Sequence, residues 1–328
     1  MSRREATRLP PLAFTCGDPA GVGPEIIADW LRRNRRAARD VAVIGPLRWL
    51  DTLETAARKI PVGPEGFTLK PGRPGAAGAR VAWAAMERAA EGCKNGEFSG
   101  VVTGPVSKAE LARVGYEFPG QTEFFAARWG GEPVMAFCGG KLRVALATWH
   151  VPLAAVPRLL KAPLLRRTIA AADLLAQSEG VAKPRIGVCG LNPHAGEEGL
   201  LGTEEIDRLN PMLDRIRRDF PGISRCEPGD TLFARMLRGE FDAIVALYHD
   251  QGLAPLKVID FDDAVNVTLG LPHVRTSPDH GTAFGIAGRG VARGTSFANA
   301  VKVARRLIAL RGYSPLGMRK RQSRKPTP

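Results

Sequence analysis

Short apolar runs rich in β-branched residues alternate along this chain with longer amphipathic stretches. That alternation restricts the fold to the α/β class, with a mainly parallel sheet whose strands are joined by crossover helices. The pattern predicts strands at 12–16, 41–44, 100–103, 142–148, 186–191 and 242–248. It predicts helices at 24–33, 78–92, 164–178, 203–218 and 296–310, the first opening on Pro24, whose fixed φ suits a first helical turn. Residues 61–77 are rich in Pro and Gly and read as a surface loop. A chain of 328 residues has room for two such units or one large one.

No segment approaches the roughly 18 consecutive apolar residues of a membrane helix. The charged start MSRREATRLPP has no apolar run behind it and does not read as a secretory signal. The cysteines, Cys16, Cys93, Cys138, Cys189 and Cys226, are odd in number and contain no C-x-x-C pair. They argue against a disulfide framework or a cysteine-based zinc site, and predict a cytoplasmic setting.

The net charge of +14 raises the question of nucleic acid. Residues 1–9 hold three Arg against one Glu, and residues 311–328 hold Arg311, Arg319, Lys320, Arg321, Arg324 and Lys325, so more than half of the excess lies at the two ends. A further basic run, Arg32, Arg33, Arg35, Arg36 and Arg39, falls at a helix end. No aromatic residues interleave with these charges to stack bases. Solvated basic faces are the preferred reading, and no nucleic-acid partner is expected. The excess could still collect anionic substrates.

Chemistry concentrates where the strands stop. VALATWH ends on His150, IGVCGLNPH on His194 and AIVALYH on His249. In open α/β sheets, ligands sit beyond the carboxyl ends of strands. Three imidazoles delivered to one sheet edge could share a divalent metal, most naturally zinc, with a coordination position left open. Three separately satisfied strand-end histidines are the other reading, and ligands far apart in the chain leave no spacing rule to choose between them. Small, polar, loop-forming sequences surround them: GDPAGVGPE (17–25), TGPVSK (103–108), GLNPHAGEEG (190–199) and YHDQGLAPLK (248–257). The first is neither G-x-G-x-x-G nor a P-loop. Lys257 could hold phosphate or assist deprotonation, and Arg275 offers a planar fork for phosphate or carboxylate; a surface charge is the plain alternative for each.

The ordered series GDPAGVGPEI, TGPVSK, PGQTEFFA, ATWHVPL, GLNPHAGEEGLLGTEEI, DTLF, YHDQGLAPLK, VNVTLGLP and RTSPDHGTAFGIAGRG closely resembles the 4-hydroxythreonine-4-phosphate dehydrogenase (PdxA) family of vitamin B6 biosynthesis. The likeness runs from about residue 12 to residue 310. HGTAFGIAGRG also looks like the nucleotide-binding loop of isocitrate and isopropylmalate dehydrogenases. The resemblance implies two α/β/α domains of that type with the active site in the cleft between them. Residues 1–125 with 276–313 would form the domain carrying the cofactor loop. Residues 126–275 would carry the metal ligands and a dimer interface, and 314–328 would be a disordered basic tail.

It implies roles as well. His150, His194 and His249 match the metal ligands, drawn from both subunits of a homodimer; zinc is expected, with magnesium or cobalt as alternatives. Gln121, Thr122, Lys257, Asn266 and Arg275 match substrate-binding positions. Asp230 and Asp250 correspond to acids beside the site, with catalytic roles alongside Lys257. His280, Gly281 and Thr282 fall in the loop for NAD or NADP. His273 matches no functional position and reads as structural. The implied reaction is oxidation of 4-phosphohydroxythreonine to a β-keto acid that decarboxylates to 3-amino-2-oxopropyl phosphate. The metal would lower the hydroxyl's pKa, and Lys257, tuned by Asp250 or Asp230, would assist proton removal. Two departures stand out. The family's G-H-T-E is Gly120, Gln121, Thr122, Glu123 here, and glutamine cannot become cationic; EPGDT (227–231) replaces the usual P-A-D-T wording. Gln121 therefore keeps open a same-family dehydrogenase of another diol acid, such as a threonate or erythronate phosphate or a cyclohexadiene-diol carboxylate. A metal-dependent lyase or hydrolase without redox chemistry is the reading from another class.

Overall fold

The apolar runs become strands, and there are more strands than the periodicity announced. The computed structural model describes residues 9–311; segment 314–328 lies outside them. The strands are β1 (Leu12–Thr15), β2 (Val41–Gly45), β3 (Arg58–Pro61), β4 (Gly100–Thr103), β5 (Val134–Cys138), β6 (Val144–Leu146), β7 (Ile186–Cys189), β8 (Ile223–Glu227), β9 (Ala243–Ala246), β10 (Val265–Leu269) and β11 (Val274–Pro278). They form one 11-stranded sheet in the order β3-β2-β1-β4-β11-β10-β5-β6-β9-β7-β8. The set β3 to β11 is parallel throughout, as is the set β6 to β8. Between them β10 and β5 run antiparallel to every neighbour.

All six expected strands are present. The five without a sequence signal have physical reasons to be silent. β3 and β8 are the two edge strands, and both are largely polar. β5 is a bare apolar run that periodicity cannot tell from buried helix. β10 and β11 carry Asn266, Thr268, Arg275 and Ser277 within the strand, which breaks the hydrophobic pattern.

Alternation along the strands feeds two cores. Met135, Phe137, Val144, Leu146, Ile244 and Ala246 pack with Leu232, Phe233, Leu253 and Leu256 of helices Gly229–Leu237 and His249–Asp260. Ala136, Cys138, Ala145, Ala243 and Val245 turn to the larger core, shared with helices Ala162–Ser178 and Thr295–Arg311. Both faces are covered, as parallel sheets require. The helices expected at 24–33, 78–92, 164–178 and 296–310 appear within two residues at each end. That expected at 203–218 is a π-helical turn, Glu205–Leu209, running into Asn210–Ile216.

One loop reading is corrected. YHDQGLAPLK is the start of helix His249–Asp260, despite Gly252 and Pro255. Burial of Leu253 and Leu256 outweighs those two weak helix formers. A Cβ at Gly252 would lie 2.7 Å from Leu146, so glycine lets the helix approach β6. All five cysteines are free, and burial pushes every thiol up, Cys226 to about 12. No helix among the described residues is long and apolar enough to cross a membrane.

Candidate active site

The central strands build the floor of a cleft of about 320 Å³. In register, Asn266 faces Phe137 and Ser277, while Thr268 faces Met135 and Arg275. Cross-strand partners share a face, so these six side chains point the same way. Arg275 is 3% exposed. Its Nη1 donates to Asn266 Oδ1 at 3.0 Å and to Thr268 Oγ1 at 3.2 Å, and its Nη2 donates to Thr103 Oγ1 at 3.0 Å. Every partner is neutral, Nε is buried with none, and Arg275 joins no ion pair among the described residues. Burial pulls its pKa down to about 10, which leaves it cationic at neutral pH. A guanidinium in this state is short of an anion.

Other groups around the cleft are equally uncommitted. Gln121 Nε2 donates to Gly104 O at 3.4 Å, leaving Oε1 buried without a partner. Glu123 Oε1 accepts from Trp149 Nε1 at 3.0 Å, leaving Oε2 in the same condition. His280 Nε2 is a fourth such atom. All four residues line this one cleft. Buried polar groups normally find partners, so four orphans together mark a place where a polar ligand completes the bonding.

Lys257 lies two turns along its helix from His249, and its Nζ donates to Asp279 Oδ2 at 2.5 Å and Asp279 O at 2.9 Å. The acid beside Lys257 is therefore Asp279, in place of Asp250 or Asp230. Burial raises the pKa of Asp279, and the Lys257 ammonium opposes that rise. Asp250 instead lies with Oδ1 2.7 Å from His249 Nδ1, and Asp230 sits exposed in the first turn of helix Gly229–Leu237.

Strands β6, β9 and β7 are parallel neighbours, so their histidines do leave from one sheet edge. His150 and His249 line the cleft with ring centroids 5.7 Å apart. Burial, then Lys108, lowers the pKa of His150 and favours the neutral, lone-pair-bearing imidazole. His194 sits apart, on a left-handed run from His194 to Glu198, with Nδ1 2.6 Å from Glu197 Oε2. No group of three or more His, Cys, Asp or Glu side chains among the described residues is placed to hold a metal. One chain thus brings together two of the three expected ligands.

The His194 loop hangs on buried Glu205, whose Oε1 accepts from Leu191 N at 2.7 Å and Asn192 N at 2.8 Å, and whose Oε2 accepts from Asn192 Nδ2 at 2.9 Å. Glu205→Ala strands two backbone donors, leaves the Asn192 amide only its bond to Glu204, and is expected to cost about 3 kcal/mol in urea unfolding; a loss below about 1 kcal/mol would contradict the anchoring role.

Comparison with known proteins decides the family. The family model "Pyridoxal phosphate biosynthetic protein PdxA" matches residues 25–304. The chain belongs to the PdxA family. It is 44% identical to the 4-hydroxythreonine-4-phosphate dehydrogenase of Aromatoleum aromaticum, over 92% of this chain and 98% of that one. Among solved structures, a putative 4-hydroxythreonine-4-phosphate dehydrogenase from Salmonella typhimurium superposes with a TM-score of 0.78 at 33% identity, covering 92% of this chain and 100% of that one. A terephthalate 1,2-cis-dihydrodiol dehydrogenase from Burkholderia xenovorans LB400 matches with a TM-score of 0.68 at 28% identity, covering 90% and 98%.

In this PdxA chain the sequence-predicted residues divide clearly. Gln121, Thr122, His150, His249, Asn266, Arg275, His280 and Gly281 line the cleft, and Lys257 reaches it through Asp279. Thr282 is packed beneath, its carbonyl accepting from Val22 N at 2.9 Å. His194, Asp230 and Asp250 are not cleft-lining. His273 packs edge-on against Trp129, centroids 5.1 Å apart. Asp279, Glu123 and Lys108 line the cleft without having been singled out as site residues. The motif words SPDHG, GQTE and TGPVSK contained all three.

Proposed function

We propose that this chain is an NAD(P)-dependent, divalent-metal-dependent dehydrogenase that oxidises 4-phosphohydroxythreonine to a β-keto acid, which decarboxylates to 3-amino-2-oxopropyl phosphate. The carrying observation is the buried Arg275 guanidinium, unpaired by any acid, in a cleft with three further uncommitted polar atoms. Family membership supplies the reaction class.

In this reading Arg275 Nε, with Asn266 and Thr122 beside it, holds an anionic group of the substrate. Lys257, oriented by Asp279, passes one of its protons to that partly buried carboxylate and takes the proton of the reacting hydroxyl in its place. His280 and Gly281 face the nicotinamide nucleotide; a Cβ at Gly281 would meet no protein atom within 4 Å, so space there is open for a ligand. His150 and His249 would hold the metal, the third nitrogen coming from the partner subunit's His194. Their donor chemistry suits zinc, with magnesium or cobalt as alternatives. When bound, the metal supplies Lewis acidity toward the substrate oxygen. Exposed Val151 and Leu153 near His150, and Leu200, Leu201 and Ile206 near His194, support a homodimer that covers both loops. The division into 1–125 with 276–313 and 126–275 belongs to this proposal; both boundaries fall inside regular elements, helix Gln121–Trp129 and β11. Five free thiols suit a cytoplasmic enzyme.

The test is spectrophotometric: nicotinamide reduction on addition of 4-phosphohydroxythreonine, with and without divalent metal. Reduction that depends on both substrate and metal is expected; substrate turnover without reduction would point to the lyase or hydrolase instead. A second reading, a dehydrogenase of another diol acid, is favoured by Gln121, which stands at the family's usual histidine position and cannot become cationic. Faster reduction with 4-phosphoerythronate or a cyclohexadiene-diol carboxylate would select it.

A further inference from the structure

We propose that Glu123, assisted by Gln121, is the specificity-determining residue by which the cleft selects substrates bearing an ammonium group. This rests on reading the cleft as the site of a small phosphorylated hydroxy amino acid. The two orphan atoms of helix Gln121–Trp129 are both acceptors: Gln121 spends its amide nitrogen on Gly104 O, and Glu123 spends Oε1 on Trp149. Leaving a carboxylate oxygen buried without a donor is costly. An ammonium carries three N–H donors and a positive charge, which suits a cleft wall whose open positions are acceptors, one of them a carboxylate oxygen, whereas a hydroxyl carries one donor and no charge.

The same helix connects to the opposite chemistry. Thr122 Oγ1 lies 3.3 Å from Thr268 Oγ1, which accepts from Arg275 Nη1. Arg275 offers a free donor at Nε. The cleft therefore has an accepting, anionic pole at Glu123 and a donating, cationic pole at Arg275, as a zwitterion requires. Lys108 is exposed and, among the described residues, makes no ion pair within 4.0 Å of Glu123, although both approach Gly120. The free oxygen therefore has no direct bond to that lysine.

Glu123→Gln separates this role from support of Trp149, because the amide oxygen still accepts from the indole while Nε2 places donors where the free acceptor stood. Dissociation constants are measured by calorimetry for 4-phosphohydroxythreonine and for 4-phosphoerythronate, which carries a hydroxyl in place of the ammonium. The aminated ligand is expected to weaken by about 10- to 100-fold, and the hydroxy ligand to stay within about twofold or to tighten. Equal weakening of both, or no change in either, overturns the proposal. Trp149→Phe should keep the preference for the amine; its loss there would show that Glu123 acts only through Trp149. Retained preference without any nicotinamide reduction would remove the reaction assigned above and leave the role of Glu123 standing. Failure of the parent protein to bind either ligand would end both.

Discussion

Arg275→Met is expected to lower kcat/KM by about 100- to 10,000-fold while moving the thermal midpoint by no more than about 3 °C. The two effects separate because the charge is buried among neutral oxygens. In the free protein, burial already disfavours the guanidinium, as the fall of its pKa to about 10 indicates. Replacing a buried ion that no acid contacts with an apolar side chain of similar length removes that penalty. The hydroxyls of Thr103 and Thr268 can reorient, Thr268 toward Thr122. With substrate present, the same change deletes one charge and its directed donors. Arg275→Lys should not rescue, since a compact ammonium cannot keep the bonds to Asn266 and Thr103 while presenting a donor at the Nε position. Steady-state kinetics and calorimetry on the three proteins check this. A collapse of the fold in Arg275→Met, or kinetics within threefold of the parent, would contradict the anion assignment.

The second large effect falls on Lys257. Lys257→Met is expected to reduce kcat by about 100- to 10,000-fold with little change in substrate dissociation constant. Its removal also strips Asp279 of the charge that opposes the burial-driven rise of its pKa, so Asp279 shifts further toward the protonated form. Asp279→Asn should lose less, and the double variant should be no worse than Lys257→Met alone, because the two groups work as one unit. Single-turnover measurement of nicotinamide reduction isolates the chemical step. An additive double variant, or a loss confined to KM, would assign Lys257 to binding.

Local patterns were legible wherever one period dominated. The amphipathic helices and the six strands with clean apolar runs needed only the sequence, and so did the delivery of three histidines beyond strand ends. The remaining strands were illegible because site residues or edge exposure break their pattern: Asn266 and Thr268 on β10 and Arg275 and Ser277 on β11 look wrong for a buried sheet until the cleft above them is known. Lys257 was legible as a cation near a histidine, but its partner was not. Asp279 is 22 residues away, whereas Asp250 is nearer in the chain and turns to His249.

The sequence by itself determined an α/β chain, five cysteines without a pairing pattern and the residue types that gather near strand ends, because these follow from periodicity and composition within a few residues. Tertiary structure alone decided which groups are left without partners. The register of β10 against β11 and β5 sets Arg275 among neutral oxygens, helix Gln121–Trp129 brings Glu123 to Trp149, and the His194 loop stays apart from the His150 and His249 pair. Those outcomes depend on contacts across 26 to 172 residues of chain, where no spacing rule operates and only packing fixes the distance.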